Sequence, residues 1–112
     1  MSVQRFFLDP TKQRLLHNIL NEVLNGFAIQ DFAATIGSGR AELQSLLDHL
    51  HSLPETAGVE LDRTQTIAFY NSLRETLREL GEEEFHTRTG FRFEDGRTVL
   101  YELGAQIGVR PL

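Results

Sequence analysis

Between Arg88 and Arg97 the chain interleaves three arginines with two aromatic side chains: Arg88, Phe91, Arg92, Phe93 and Arg97, with His86 just before them. Arginine and aromatic residues in this mixture suit two kinds of chemistry. They stack on and pair with single-stranded nucleic acid, and they anchor protein–protein contacts, where planar cations and large rings carry much of the binding energy. A solvated surface on which these arginines pair with Glu82, Glu83, Glu84 and Glu94 would be the plainer outcome, since each exposed pair adds only about 0–1 kcal/mol. Phe91 and Phe93 resist that plainer outcome. Burying a phenylalanine is worth roughly 1.5–3 kcal/mol, so both rings are expected to have a cover, supplied by the rest of the chain, by a partner protein or by a second copy.

Other constellations carry less. No Gly-x-Ser-x-Gly, Walker loop or His-Glu-x-x-His is present, and Gly37-Ser38-Gly39-Arg40 is too short to cradle a phosphate. The four histidines are spaced without a ligand pattern: His49 and His51 fall on different faces of a helix, His17 lies among apolar residues and His86 stands alone. Neither a metal nor a cofactor is expected, and no catalytic residue is assigned. With no cysteine, disulfides and thiolate chemistry are excluded. The net charge of −5, with Lys12 the only lysine, disfavours attraction to phosphate backbones.

The elements that must position these residues follow from a repeat. Eleven positions between Leu8 and Leu50 are identical to the residue 53 places later: Leu8/Leu61, Asp9/Asp62, Thr11/Thr64, Asn18/Asn71, Leu20/Leu73, Glu22/Glu75, Leu24/Leu77, Phe32/Phe85, Gly37/Gly90, Leu47/Leu100 and Leu50/Leu103. Roughly three would arise by chance at ordinary composition. The chain therefore reads as one domain, 1–112, with a first repeat at about 8–53, a linker at about 54–60 and a second repeat at about 61–106.

Each repeat reads as three helices. Asp9-Pro10 is a helix start, and Leu16, Ile19, Leu20, Val23 and Leu24 recur at helical spacing before Asn25-Gly26 stops them. A short helix fits Ile29–Ile36, Gly37 provides a tight exit, and Ser38 caps a third helix to about Ser52 with Leu43, Leu46, Leu47 and Leu50 inward. In the second repeat Asp62 and Gln65 have capping-box spacing, and Gly81 ends the helix. Glu82, Glu83 and Glu84 then complement the positive end of the next helix. The segment 88–103 is contested. Its Asp95-Gly96 pair sits between alternating apolar residues, the signature of a β-hairpin, which would make the fold α+β. The repeat favours a sixth helix instead, even though Gly96 would cost it about 1 kcal/mol relative to alanine.

The expected fold is thus all-α, two tandem helix-turn-helix-like repeats packed as one globule. The helix-turn-helix spacing also raises a DNA-binding transcription regulator, reading bases with Arg40, Gln44 and Ser45. The same helix face carries Glu42 and Asp48, which would repel phosphate. The preferred expectation is a small acidic non-enzymatic interaction protein, an adaptor, regulator or inhibitor of a basic protein partner, or a homodimer. No apolar stretch approaches the length of a bilayer span, and the start lacks the pattern of a signal peptide, so a cytoplasmic location is expected.

Overall fold

In a computed structural model the described residues are 5–109. Strand β1 (Arg5–Leu8) leads into helix α1 (Pro10–Asn21), which ends in a π-helical turn, Glu22–Gly26. Helices α2 (Phe32–Ile36) and α3 (Arg40–Ser52) follow, then strand β2 (Val59–Asp62), the long α4 (Arg63–Thr89) and α5 (Phe93–Ile107). The fold is mostly helical but not all-α. The expectation missed β1 and β2, which pair antiparallel with Phe6 opposite Leu61, Phe7 opposite Glu60 and Leu8 opposite Val59. Part of the expected linker, Val59 and Glu60, therefore belongs to a strand. Its alternation accounts for the pairing: Leu8, Val59 and Leu61 turn into the core, while Glu60 and Phe7 face outward.

The helix starts follow the residues that cap them. Asp9 accepts a hydrogen bond from the Lys12 amide at 2.9 Å, with Pro10 in the first turn. Fifty-three residues on, the Asp62 carboxylate accepts from the Gln65 amide at 2.7 Å, while the Gln65 side chain accepts from the Asp62 amide at 3.0 Å. Both orphan donors are thereby satisfied. Helix α2 and the last part of α4 each end on a glycine in the left-handed region, Gly37 at φ 93° and Gly90 at φ 77°. Only a residue without Cβ adopts that region cheaply, and it lets the chain turn back in one step.

Three local expectations need correction. Helix α2 begins at Phe32 rather than Ile29, because Asp31 is itself left-handed at φ 49° and interrupts the helical dihedrals. Ser38 caps nothing; Gly39 is the cap of α3 and offers no side-chain bond. Helical geometry breaks at Gly81 (φ 70°, ψ −175°), as expected, so α4 comprises two helical segments that meet at a kink there. The hairpin alternative for 88–103 is overturned, since Phe93–Ile107 is helical throughout. Gly96 is buried there for a steric reason. A Cβ at this position would lie 2.8 Å from the Phe85 ring, so the Asp-Gly pair serves packing rather than a turn.

One contiguous apolar core draws residues from every element, including Leu8, Leu16, Val23, Ile36, Leu43, Val59, Phe69 and Leu103. Two asparagines tie the halves of the chain together across it. Asn71 Nδ2 donates to the Ile36 carbonyl at 2.8 Å, and Asn18 Nδ2 donates to the Thr89 carbonyl at 2.9 Å. Each bond supplies a partner for a carbonyl beside a left-handed glycine, at a helix end that lacks an intrahelical donor.

Candidate functional site

The start of α5 gathers most of the residues that sequence chemistry singled out. Phe91 and Phe93 are both half-buried and packed on the core. The Arg14 guanidinium covers Phe91, 5.1 Å from its centroid, and Phe93 meets Phe85 edge-on with centroids 6.0 Å apart. The cover those rings required comes from within the chain. Arg92 lies between two shallow hollows. One is shared with Glu82, Glu83, His86, Phe93 and Glu94; the other runs along α1 past Thr11, Lys12 and Arg14 to Phe91.

Arg88 stands apart from this group. Its guanidinium reaches the π-helical turn, pairing with Glu22 at 2.6 Å and donating to the Gly26 carbonyl at 3.0 Å. Glu22 is nearly buried, so this pair holds α4 to the end of α1. The acidic run Glu82–Glu84 is exposed and is not the partner of Arg88.

Farther along α5, Arg97 and Tyr101 occupy successive turns of the outer face, with Glu94, Thr98, Glu102 and Ala105 around them. Tyr101 is 63% exposed, one of the few large apolar side chains so open to solvent among the described residues. Sequence reasoning passed over Tyr101 because it treated the residue as part of an alternating apolar pattern. Its exposure, which depends on how α5 rolls against α4, was not available from spacing. Glu102 is held by Lys12 of α1 at 2.6 Å, which fixes one side of this face.

The nucleic-acid candidates lie on α3. The Arg40 guanidinium stacks 4.4 Å from the Phe32 centroid and donates to the Leu24 carbonyl at 3.0 Å. Gln44 donates to Asp48 at 3.0 Å, and Ser45 is exposed between them. Thus Arg40 and Gln44 are both engaged by their own chain. Arg40 sits on α3, whereas Arg92 and Arg97 sit at or on α5.

The fold also makes one pairing that spacing did not suggest. His17 on α1 and His51 in the last turn of α3 bring their Nε2 atoms to 2.7 Å. No group of three His, Cys, Asp or Glu side chains suited to a metal ion occurs among the described residues. No described helix is long and apolar enough to cross a membrane. No protein-family model matches the chain, and no curated protein or solved structure is similar enough to match it.

Proposed function

We propose that the chain is a tandem duplicate serving as a non-enzymatic protein-interaction module, with a shared scaffold and a binding surface where the halves differ. The scaffold reading is supported by symmetry at an offset of 53 residues. Phe7 stands opposite Glu60, its own counterpart, so exchanging the halves maps the strand ladder onto itself. Asn18 and Asn71 are counterparts, and so are the carbonyls they hold, Ile36 and Thr89. The caps Asp9/Asp62 and the glycines Gly37/Gly90 obey the same offset.

The observation that carries the binding surface is Tyr101. A tyrosine at 63% exposure, one helical turn from Arg97, presents the two residue types most enriched in interface hot spots. Its counterpart on α3 is Asp48, and that of Arg97 is Gln44. The chain's charge of −5 and the exposed Glu82 and Glu83 beside Arg92 and Phe93 favour a partner with a basic rim, whose approach the field would accelerate. An adaptor, regulator or inhibitor of such a protein fits this surface. DNA recognition ranks below it, because Arg40 and Gln44 are already bound within the chain.

Affinity capture from native cells with the wild-type chain and with Tyr101→Ser/Arg97→Ser tests the reading. Because both side chains are exposed, the variant is expected to melt with the wild type, within about 0.5 kcal/mol. It is expected to lose the partner that wild type retains, and retention weakened by added salt is expected for the wild type. Equal retention by the folded variant would remove α5 as the binding face. Light scattering on the isolated chain identifies self-association if the partner is a second copy.

A further inference from the structure

His17 and His51 are 34 positions apart in the chain and meet in a groove of about 370 Å³ between α1 and the end of α3. With Nε2 atoms 2.7 Å apart, one ring must donate and the other must accept. Asn18 decides which. Its Nδ2 is committed to the Thr89 carbonyl, so its Oδ1 faces His17 Nδ1 at 3.1 Å and must accept a hydrogen bond from it. Neutral His17 is therefore protonated on Nδ1, and its Nε2 lone pair accepts the Nε2 proton of His51.

We propose that this pair is a binding site for a borderline divalent transition-metal cation such as Zn²⁺ or Cu²⁺, which takes the place of the shared proton. His17 is already arranged as metal-ligating histidines are, with one ring N–H held by a carbonyl oxygen and the opposite lone pair aimed into the site. His51 carries its proton on Nδ1 instead of Nε2 when its Nε2 binds the cation. The neutral pair then supplies two ligands without a net loss of protons.

The geometry requires a small opening. Two nitrogens at ordinary zinc distances on a tetrahedral centre lie about 3.3 Å apart, roughly 0.6 Å wider than the present contact. His51 is exposed in the last turn of α3 and has room to give that distance. Gln13 lines the same groove one helical turn before His17. It is buried, its Nε2 donates to the Pro54 carbonyl, and its Oε1 has no hydrogen-bond partner. That oxygen is an acceptor for water on the cation. The groove also carries Arg14 and Glu55, whose charges offset one another. With two imidazoles as protein ligands and the other positions left to water, the site is open rather than a closed structural cage.

The experiment is calorimetric titration of the full chain with Zn²⁺ alone, accompanied by imidazole NMR, for wild type, His51→Gln, His17→Gln and His49→Gln. One equivalent is expected to bind wild type and to shift the His17 and His51 ring resonances. His51→Gln is expected to weaken binding by more than the roughly tenfold cost of removing an outer-shell partner, and His49→Gln to leave it unchanged. Helicity of His51→Gln is expected to match wild type, so the readout does not depend on His17→Gln folding. Binding undiminished in His51→Gln, an equal loss in His49→Gln, or ring resonances that stay fixed at millimolar Zn²⁺ would each overturn the site.

Discussion

Phe32 and Phe85 are identical residues 53 positions apart in the chain, and they end in opposite surroundings. Phe85 is fully buried, its ring against Gly96 and the edge of Phe93. Phe32 is only half-buried and lies under the Arg40 guanidinium. The neighbouring helices reverse the exchange. Where the second half has Gly96, the first has Leu43, which is buried. A close-packed interior fixes the total side-chain volume between elements rather than the residue at any one position. The second half spends that volume on the aromatic ring, and the first spends it on the helix. A glycine that costs α5 some intrinsic helicity is thus repaid through the ring it admits.

Transplanting the first half's residue gives the largest expected break in this comparison. Gly96→Leu should overpack the Phe85 ring and cost about 3 kcal/mol or more by urea denaturation, with part of the loss recovered when Phe85→Ala is added. A Gly96→Leu chain as stable as wild type would show that the two halves do not differ by volume exchange. The asparagines sharpen the opposite side of the comparison, where the halves agree. Asn71→Ala and Asn18→Ala each leave a helix-end carbonyl without its donor, and each should cost about 1–2 kcal/mol in the same assay. Matched losses are expected if the seam is symmetric in energy as well as in position. Arg40→Ala should have the smallest effect, about 1 kcal/mol from the lost ring contact and carbonyl bond, with hydrogen exchange quickened around α2 and unchanged in α5.

What the sequence revealed and what it withheld divide by range. Asp9, Asp62 with Gln65, Gly37 and Gly81 act on their own next few residues, so their types and spacing announced helix ends directly. The offset of 53 also chose helix over hairpin for 88–103, where a local dipeptide pointed the other way. Pairings between distant segments stayed hidden. Four-residue strands are too short for alternation to stand out, and neither β1 nor β2 bears a mark of the other. Asn18 and Asn71 were visible as identities, yet nothing local indicated that each reaches a carbonyl in the opposite half. The candidate site divides the same way. Phe91, Arg92, Phe93 and Arg97 were picked by residue type, whereas the diversion of Arg88 to Glu22, the exposure of Tyr101 and the meeting of His17 with His51 depend on how helices pack.

The strand ladder sets a timetable for the chain as it leaves the ribosome. β1 emerges well before its hydrogen-bonding partner Val59–Asp62, which follows some fifty residues later, and Asn71, which holds the end of α2, comes later still. Until then the open strand edge and the apolar faces of α1 and α3 have no cover from the second half. Closing such long loops is slow compared with winding a helix, so the nascent first half must wait as helices without a finished core. The interval between synthesis of Leu8 and synthesis of Leu103, the α5 residue that joins the core, is accordingly when this protein is most open to aggregation or to capture by a chaperone.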